Sequence, residues 1–117
     1  MRLRSMALAA VLAVTTAGTT QAQVKVLFEN DSIRVTMATI KARSTTPVHT
    51  HALSHVTYVQ NGGELKLHYP DSTTRRLSLE TGTAYWGRVE THATENIGAT
   101  DVVLITVDLK KPVPVKP

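Results

Sequence analysis

Residues 64–80, with the sequence ELKLHYPDSTTRRLSLE, contain two short runs in which apolar and polar side chains alternate. Before the turn-forming Pro-Asp-Ser at 70–72 the apolar positions are Leu65, Leu67 and Tyr69, and after it they are Leu77 and Leu79. Successive side chains of a strand point to opposite faces, so a period of two is typical of half-buried strands. The stretch therefore predicts two strands joined by a turn.

The same period recurs at Ile33, Val35 and Met37, and no window of the chain shows a long helical stripe. A continuous apolar run at residues 102–107, VVLITV, is rich in β-branched side chains and is typical of a strand covered on both sides. We therefore predict a single all-β domain of roughly eight strands, arranged as a small barrel or double-sheet sandwich.

The first 22 residues have the pattern of a secretory signal peptide. Arg2 and Arg4 precede an apolar run at residues 6–14, which is too short for a membrane span of roughly 20 apolar residues. We predict cleavage after Ala22 and a periplasmic or secreted protein. The domain would occupy residues 23–110, and a Pro-rich extended tail would occupy residues 111–117.

Charge and cysteine content limit the function classes. The chain has 13 Lys and Arg against 9 Asp and Glu, a net charge of +4, and loss of Arg2 and Arg4 would reduce it to about +2. The basic residues are scattered, so we expect no nucleic-acid partner and, after cleavage, no membrane association. The absence of cysteine excludes disulfides and thiolate ligands.

Four of the five histidines lie in two separated segments: His49, His51 and His55 in the first, and His92 in the second. Neutral imidazole is the commonest protein ligand for divalent transition metals. In an extended strand His49 and His51 point to the same face, and His55 follows either on the same face or across a turn. Convergence of the two segments would make one metal site, whereas the alternative is a histidine-rich surface strand without an ion.

The order and spacing of these residues resemble the two motifs of the cupin family. His49, His51, His55 and Gly62 match the first motif, and Gly82 through Gly87 with His92 and Asn96 match the second. The likeness covers nearly the whole predicted domain. Within the family, the sequence is similar to small exported cupins named for β-alanine degradation. The resemblance implies a double-stranded β-helix, or jelly-roll barrel, in which His49, His51 and His92 bind a metal and His55 either completes the set or lies just outside it.

Two departures from the family pattern affect the site. The usual glutamate is His55, and the usual Pro-x-Gly before the second histidine is replaced by Arg88-Val89-Glu90-Thr91. An all-histidine set leaves the charge of the ion uncompensated, which favours an anionic ligand. Neutral nitrogen ligands suit several ions, so the cofactor is predicted only as one divalent transition metal among Fe, Zn, Ni, Cu and Mn.

Several other polar and aromatic residues have two interpretations. Alternation from His92 places Glu90 and Arg88 on its face as catalytic candidates, although the pair could also be an exposed cross-strand contact. Asn96 is predicted to stabilise a turn at the end of a strand, and His68 is predicted to be a solvated surface residue. Aromatic residues that could line a pocket or fill the core are Tyr58, Tyr85 and Trp86.

Three functions are compatible with this pattern. The first is a metal-dependent enzyme, such as an oxygenase that acts on a small anionic substrate. The second is a binding protein for a metal or small ligand in which four histidines close the coordination shell. The third is an interaction module whose histidines bind nothing. A small-molecule ligand is the expected partner in the first two, and exposed strand edges make a homodimer compatible with all three.

Overall fold

A computed structural model describes residues 19–111 of the chain. This part contains nine strands and no helix. The strands are β1 (Gln23–Glu29), β2 (Ile33–Ile40), β3 (His49–His51), β4 (His55–Asn61), β5 (Gly63–His68), β6 (Thr74–Leu79), β7 (Ala84–Gly87), β8 (Glu90–Asn96) and β9 (Val102–Leu109). Over residues 19–111, nothing helical is long and apolar enough to span a bilayer.

The strands form two sheets, which confirms the predicted all-β architecture. The larger has the order β1-β2-β9-β4-β7, and the smaller has the order β3-β8-β5-β6. Every pair of neighbouring strands is antiparallel. The apolar core lies between the sheets and consists of Ile40, Val59, Leu65, Val102 and Leu104.

The hairpin predicted from residues 64–80 is formed by β5 and β6. Leu65 pairs with Leu77 and Leu67 with Arg75 across this hairpin. Leu65 and Leu67 are buried, while Leu77 and Leu79 pack against the core from the edge. The turn is held by Asp71, whose Oδ1 accepts hydrogen bonds from the backbone N and the Oγ1 of Thr73 at 3.0 and 2.6 Å. The alternation in this stretch therefore does mark the core-facing side.

Strand β2 faces the core with the residues that alternate with Ile33, Val35 and Met37, and not with these apolar residues themselves. In a half-buried strand the apolar side is expected to be covered, yet the buried residues of β2 are Thr36 and Ile40. They pair with Thr106 and Val102 of β9. Because side chains alternate, Ile33, Val35 and Met37 point away from the core and are only partly buried.

Strand β9 is covered on one side rather than on both. It is the central strand of the larger sheet, and its inward Val102 and Leu104 are buried. Its outward Val103, Ile105 and Val107 remain partly exposed. The prediction of two-sided coverage is wrong for the protomer because the domain has only two layers, and none lies outside the larger sheet in residues 19–111.

The two ends of the described chain bear on the predicted processing. Residues 1–18 and 112–117, which include most of the predicted signal peptide and tail, lie outside the described residues. Just before β1, the backbone N of Thr20 donates to the carbonyl of Thr45 at 2.7 Å, and Ala22 packs against the core. Cleavage after Ala22 would remove both contacts, and it stays a prediction.

Asn96 at the end of β8 joins the two sheets through its side chain. It is completely buried, and its Nδ2 donates to the carbonyls of Ile40 and Thr100 at 3.0 and 2.9 Å. Its Oδ1 accepts from the backbone N of Gly98 at 3.0 Å. The predicted turn role is therefore only part of its function, because the bond to Ile40 also ties β8 to the larger sheet.

We expect Asn96→Ala to destabilise the domain by about 2–4 kcal/mol, because it removes hydrogen bonds from the buried carbonyl of Ile40 and the half-buried N–H of Gly98. Urea unfolding followed by circular dichroism would measure the loss. Asn30→Ala is the matched control, since the side chain of Asn30 also bonds to the backbone, accepting two hydrogen bonds, but is exposed. Equal losses in the two variants would show that Asn96 does not join the sheets.

Candidate metal centre

Strands β3 and β8 bring the two histidine segments together. Strand β3 is only three residues long and pairs along the edge of the smaller sheet, with His49 opposite His92 and His51 opposite Glu90. Period two places His49 and His51 on one face, and residues paired across a sheet share a face. The ring centroids of His49, His51 and His92 are therefore 4.9 Å from one another.

This cluster, which we call the histidine trio, has the donors that a metal ion needs. One ring nitrogen from each of His49, His51 and His92 lies within 4.8 Å of the other two. Nitrogens bound to one ion at about 2.1 Å lie about 3–3.5 Å apart, so small side-chain rotations would bring the trio onto an ion. The residues present thus fit a divalent transition metal with imidazole ligands.

The backbone before β3 orients the ring of His49. Its Nδ1 donates to the carbonyl of Pro47 at 2.8 Å, and the hydroxyl of Thr46 lies 3.4 Å from the same nitrogen. A proton held on Nδ1 leaves the lone pair on Nε2 free for an ion. Thr46 is itself buried, and its hydroxyl accepts a hydrogen bond from the backbone N of Thr94 at 3.0 Å. The loop that leads into β3 is therefore anchored to β8.

His92 is oriented by a carboxylate on its own strand. Oε2 of Glu90 lies 3.3 Å from Nδ1 of His92, which is close enough for a charge contact but is not aligned as a hydrogen bond. This Nδ1 is buried and has no other partner among the described residues. A carboxylate behind a ligating imidazole makes the imidazole a stronger donor. Glu90 therefore supports the imidazole of His92, and its pairing with His51 places it on the same face of the sheet as the trio.

Burial and mutual repulsion keep His51 and His92 unprotonated. Burial, followed by the charges of His92 and His49, lowers the pKa of His51 to about 4. Burial and His49 likewise lower the pKa of His92, and Glu90 opposes this shift. At neutral pH these imidazoles carry free lone pairs, which is the form that binds a metal.

His55 reaches the trio from the other sheet. It is buried, its ring centroid is 5.1 Å from that of His51, and its Nδ1 donates to the carbonyl of Leu53 at 2.9 Å. It does not belong to the set of nitrogens within 4.8 Å. A Cβ on the neighbouring Gly87 would collide with Nε2 of His55, so the glycine makes room for the ring.

A cleft of about 220 Å³ opens beside the trio. Its lining residues are Arg34, Thr50, His51, Ala52, Leu53 and Asp108. Arg34, Asp108 and His55 lie side by side on β2, β9 and β4, on the inward side of the larger sheet. Sequence reasoning did not single out Arg34 or Asp108, because it took Ile33 and Val35 as the core-facing positions of β2.

Arg88, the predicted arginine of the site, lies outside the strands and does not line this cleft. It is exposed and falls between β7 and β8, so strand alternation from His92 does not extend to it. It forms no ion pair with Glu90 within the described part of the chain. Strand alternation therefore does not place Arg88, because Arg88 and Val89 interrupt the strand, and its catalytic role stays a prediction.

Tyr69 is a neighbour of the site that sequence reasoning placed only as an inward strand residue. Its ring centroid lies 6.2 Å from that of His92, edge to face. Burial and the nearby Glu90 raise the pKa of the Tyr69 hydroxyl, and Arg75 opposes them. The available signal was its position two residues beyond the inward Leu67, directly after the last residue of β5.

The remaining candidates lie outside the trio. Nε2 of His68 is 2.8 Å from Oε1 of Glu95, so this half-buried histidine has a carboxylate partner. Tyr85 packs against the core, whereas Tyr58 and Trp86 are 45% and 53% exposed on the outer side of the larger sheet. Trp86 borders a second cleft, of about 360 Å³, together with Leu53, Val89 and Leu109.

Comparison with known proteins identifies the fold. No protein-family model and no curated protein sequence matches the chain. A cupin domain from Bordetella pertussis Tohama I is 22% identical over 80% of this chain and 98% of its own, with a TM-score of 0.73. An RmlC-like cupin from Methanocaldococcus jannaschii, with a double-stranded β-helix, is 13% identical over 76% of this chain and 80% of its own, with a TM-score of 0.59.

A protein of known activity has the same architecture. The polyketide cyclase RemF from Streptomyces resistomycificus is 22% identical over 83% of this chain and 70% of its own, with a TM-score of 0.60. Identities at this level establish architecture and not activity. None of these similarities supports the predicted likeness to cupins of β-alanine degradation. The chain has the cupin double-stranded β-helix fold, with three histidines gathered where two of its strands pair.

Proposed function

We propose that the protein binds one divalent transition metal through His49, His51 and His92 and uses it to transform a small anionic substrate. The observation that carries this proposal is the gathering of three imidazole nitrogens within 4.8 Å of one another beside an open cleft. A site with three protein ligands keeps coordination positions for a substrate, whereas a structural site is closed by four. The position of His55 outside the trio favours the open form.

The charge around the trio favours an anion. All three donors are neutral, so a bound ion would keep its positive charge on the side that faces the cleft. Arg34 adds a guanidinium to the wall of the same cleft. A guanidinium can bind a carboxylate through two parallel hydrogen bonds, which both orients and selects it.

We assign the reaction to the oxygenase type. When bound, the ion would supply Lewis acidity and a place for O2 next to the substrate. The chain itself would hold and orient the reactants: Arg34 would bind the substrate anion, and Asp108 is the carboxylate placed on the cleft to accept a proton. Glu90 would keep His92 in position. In this proposal Arg34 and Asp108 have the catalytic roles that the sequence pattern predicted for Arg88 and Glu90.

A metal-capture protein is the second candidate. The observation that favours it is the buried ring of His55, 5.1 Å from His51, which could join the trio after a small rotation. Four imidazoles would then close the coordination shell of Zn or Cu. Gly87 makes room for the ring of His55 in its present position.

Replacing both His49 and His51 with alanine should remove the metal. We expect about one ion per chain in the wild type and less than about a tenth of that in the variant, because a single imidazole cannot hold an ion against buffer. Elemental analysis of purified protein would measure this. His68→Ala is the matched control and should retain the metal, since His68 is paired with Glu95 outside the trio.

The same measurement on His55→Ala distinguishes the two candidate functions. An open three-histidine site retains about one ion per chain in this variant, whereas a closed four-histidine site loses most of it. Equal metal loss from the double variant and from His68→Ala would mean that the ligand assignment is wrong.

Metal-free protein should lose stability in acid because of His51. Its folded pKa of about 4 lies below the ordinary value of 6.5, so the unfolded chain takes up the proton first. The free energy of unfolding should therefore be fully retained above pH 6.5 and should fall between pH 6.5 and about 4. Urea unfolding in chelator at several pH values would follow this decline. His51→Gln should flatten it, and an identical pH dependence in variant and wild type would contradict the assignment.

Arg34→Gln should weaken the binding of an anionic substrate. With iron-loaded protein and a panel of small carboxylic acids, O2 uptake should identify a substrate, and the variant should raise its KM by roughly 10-fold or more, the usual cost of a lost charged hydrogen bond. Arg88→Gln is the matched control, because Arg88 is exposed and outside the strands. Absence of O2 uptake with every acid, with metal retained in His55→Ala, would exclude the oxygenase assignment but leave the metal site intact.

A further inference from the structure

The outer side of the larger sheet is an uncovered apolar surface. Residues paired across a sheet share a face, so the pairing registers identify every side chain on that side. Ile105 and Val107 of β9 point outward, flanked by Met37 and Val35 of β2. On the other flank lie Tyr58 and Val56 of β4.

The surface extends to both edges of the sheet. Phe28 on β1 pairs with Val35, and Trp86 on β7 pairs with Val56, which places both on the outward side. The apolar residues of this side, which we call the outer face, are Phe28, Ile33, Val35, Met37, Val56, Tyr58, Ala84, Trp86, Val103, Ile105, Val107 and Leu109, and the polar residues at its margin are Gln23, Lys25, Thr39 and Asn61. None of these residues is buried in the protomer.

The side chains of the outer face are more exposed than is usual for large apolar residues. Phe28, Tyr58 and Trp86 are 53%, 45% and 53% exposed, and Val56 is 38% exposed. No outward position of the paired stretches of β2, β9, β4 and β7 carries a charge; the charged residue is Lys25 on β1. Isolated apolar residues are common on protein surfaces, but a contiguous patch of this kind marks a contact surface.

The size of the outer face matches that of a protein interface. Five strands about 4.8 Å apart and about seven residues long span roughly 24 by 24 Å, or on the order of 600 Å² before side-chain relief is added. The largest patch on a typical monomer is about 300–600 Å², and a stable interface buries about 800 Å² per partner. The outer face therefore lies at the upper end of the patch sizes found on monomers and, once side-chain relief is added, approaches the area that one stable contact buries.

We propose that a second copy of this chain covers the outer face, so that the protein is a dimer with the two larger sheets packed face to face. Because the face is apolar and uncharged at its centre, it is complementary to itself, and a two-fold axis through β9 would oppose apolar residues to apolar residues without juxtaposing like charges. Sheets that pack in this way lie about 10 Å apart with their strands nearly aligned.

The alternative contact through the edge of β1 is less favourable. Strand β1 is an edge strand, and all seven of its residues are exposed. However, it carries Lys25, and its register with β2 shifts between Val26 and Phe28. A lysine and a bulge are two features by which proteins prevent edge-to-edge pairing.

The face-to-face contact does not involve the histidine trio. His49, His51 and His92 lie on β3 and β8 of the smaller sheet, and His55 points inward from β4. The proposal is therefore independent of the metal and of any activity. It also explains why β2 and β9 carry apolar side chains on the side that faces away from the core.

Tyr58→Lys tests the proposal by placing a charge near the middle of the outer face, opposite Ile105. Because Tyr58 is 45% exposed, the isolated protomer should tolerate the lysine. Light scattering coupled to size exclusion should give about twice the chain mass of 12.7 kDa for the unprocessed wild type, or twice the mass found by mass spectrometry if the chain is processed, and the single-chain mass for the variant. Unchanged circular dichroism would show that the variant is folded.

Val24→Lys is the matched control. Val24 is 58% exposed on the edge strand, and it points to the other side of the sheet, opposite Ala38. A dimer that survives Val24→Lys and dissociates in Tyr58→Lys supports the proposal. A dimer that behaves in the opposite way is paired through β1 and overturns it, as does a wild type with the single-chain mass at all concentrations.

Trp86 supplies a second measurement that does not depend on a variant. It is the single tryptophan of the chain and lies on the outer face. Its fluorescence emission should shift to longer wavelength on dilution, with the same midpoint as the fall in mass, because dissociation exposes the indole to water. A loss of mass without an emission shift would place the contact elsewhere and overturn the proposal.

Discussion

The pairing of β3 with β8 is the constraint on which the candidate site depends. Three backbone-paired positions set His49 opposite His92 and His51 opposite Glu90. A shift of one residue would turn both histidines of β3 to the other face. The register is secured outside β3 itself, where Thr46 bonds to the backbone of Thr94 and the carbonyl of Pro47 accepts from His49. A short edge strand thus acquires the precision that three imidazoles around one ion require.

The two sides of the larger sheet carry different kinds of side chain. At one end its inward side carries Arg34, Asp108 and His55 in one row, followed by Thr36, Thr106 and Thr57 in the next. The apolar core begins only beyond this second row, at Leu104 and Val59. Polar groups therefore line the barrel where the site opens, and apolar groups fill the opposite end. The apolar residues that alternate with the polar rows point outward, onto the outer face.

The groups around the trio act mainly by position. Glu90 and the carbonyl of Pro47 each approach Nδ1 of a histidine, and this leaves the opposite nitrogen available to an ion. Burial disfavours the protonated form of His51, so the site has its binding form at neutral pH. Gly87 admits the ring of His55 close to the strand backbone, and the larger sheet thereby brings a fourth imidazole near the trio. Whether a site is open or closed depends on the orientation of this one ring.

The amino-acid sequence by itself determined the class of fold and the residues of the trio. Alternation and turn residues identify strands because side chains of an extended chain point to opposite faces, and this rule needs no tertiary information. The same rule predicted that His49 and His51 share a face. It could not decide which face of a strand lies against the core, because apolar residues suit a core and a subunit contact equally. Only the tertiary structure showed that β2 turns Arg34 inward and Val35 outward, and that Arg88 lies outside any strand. Those decisions depend on which strands become neighbours, a long-range pairing that no local pattern encodes.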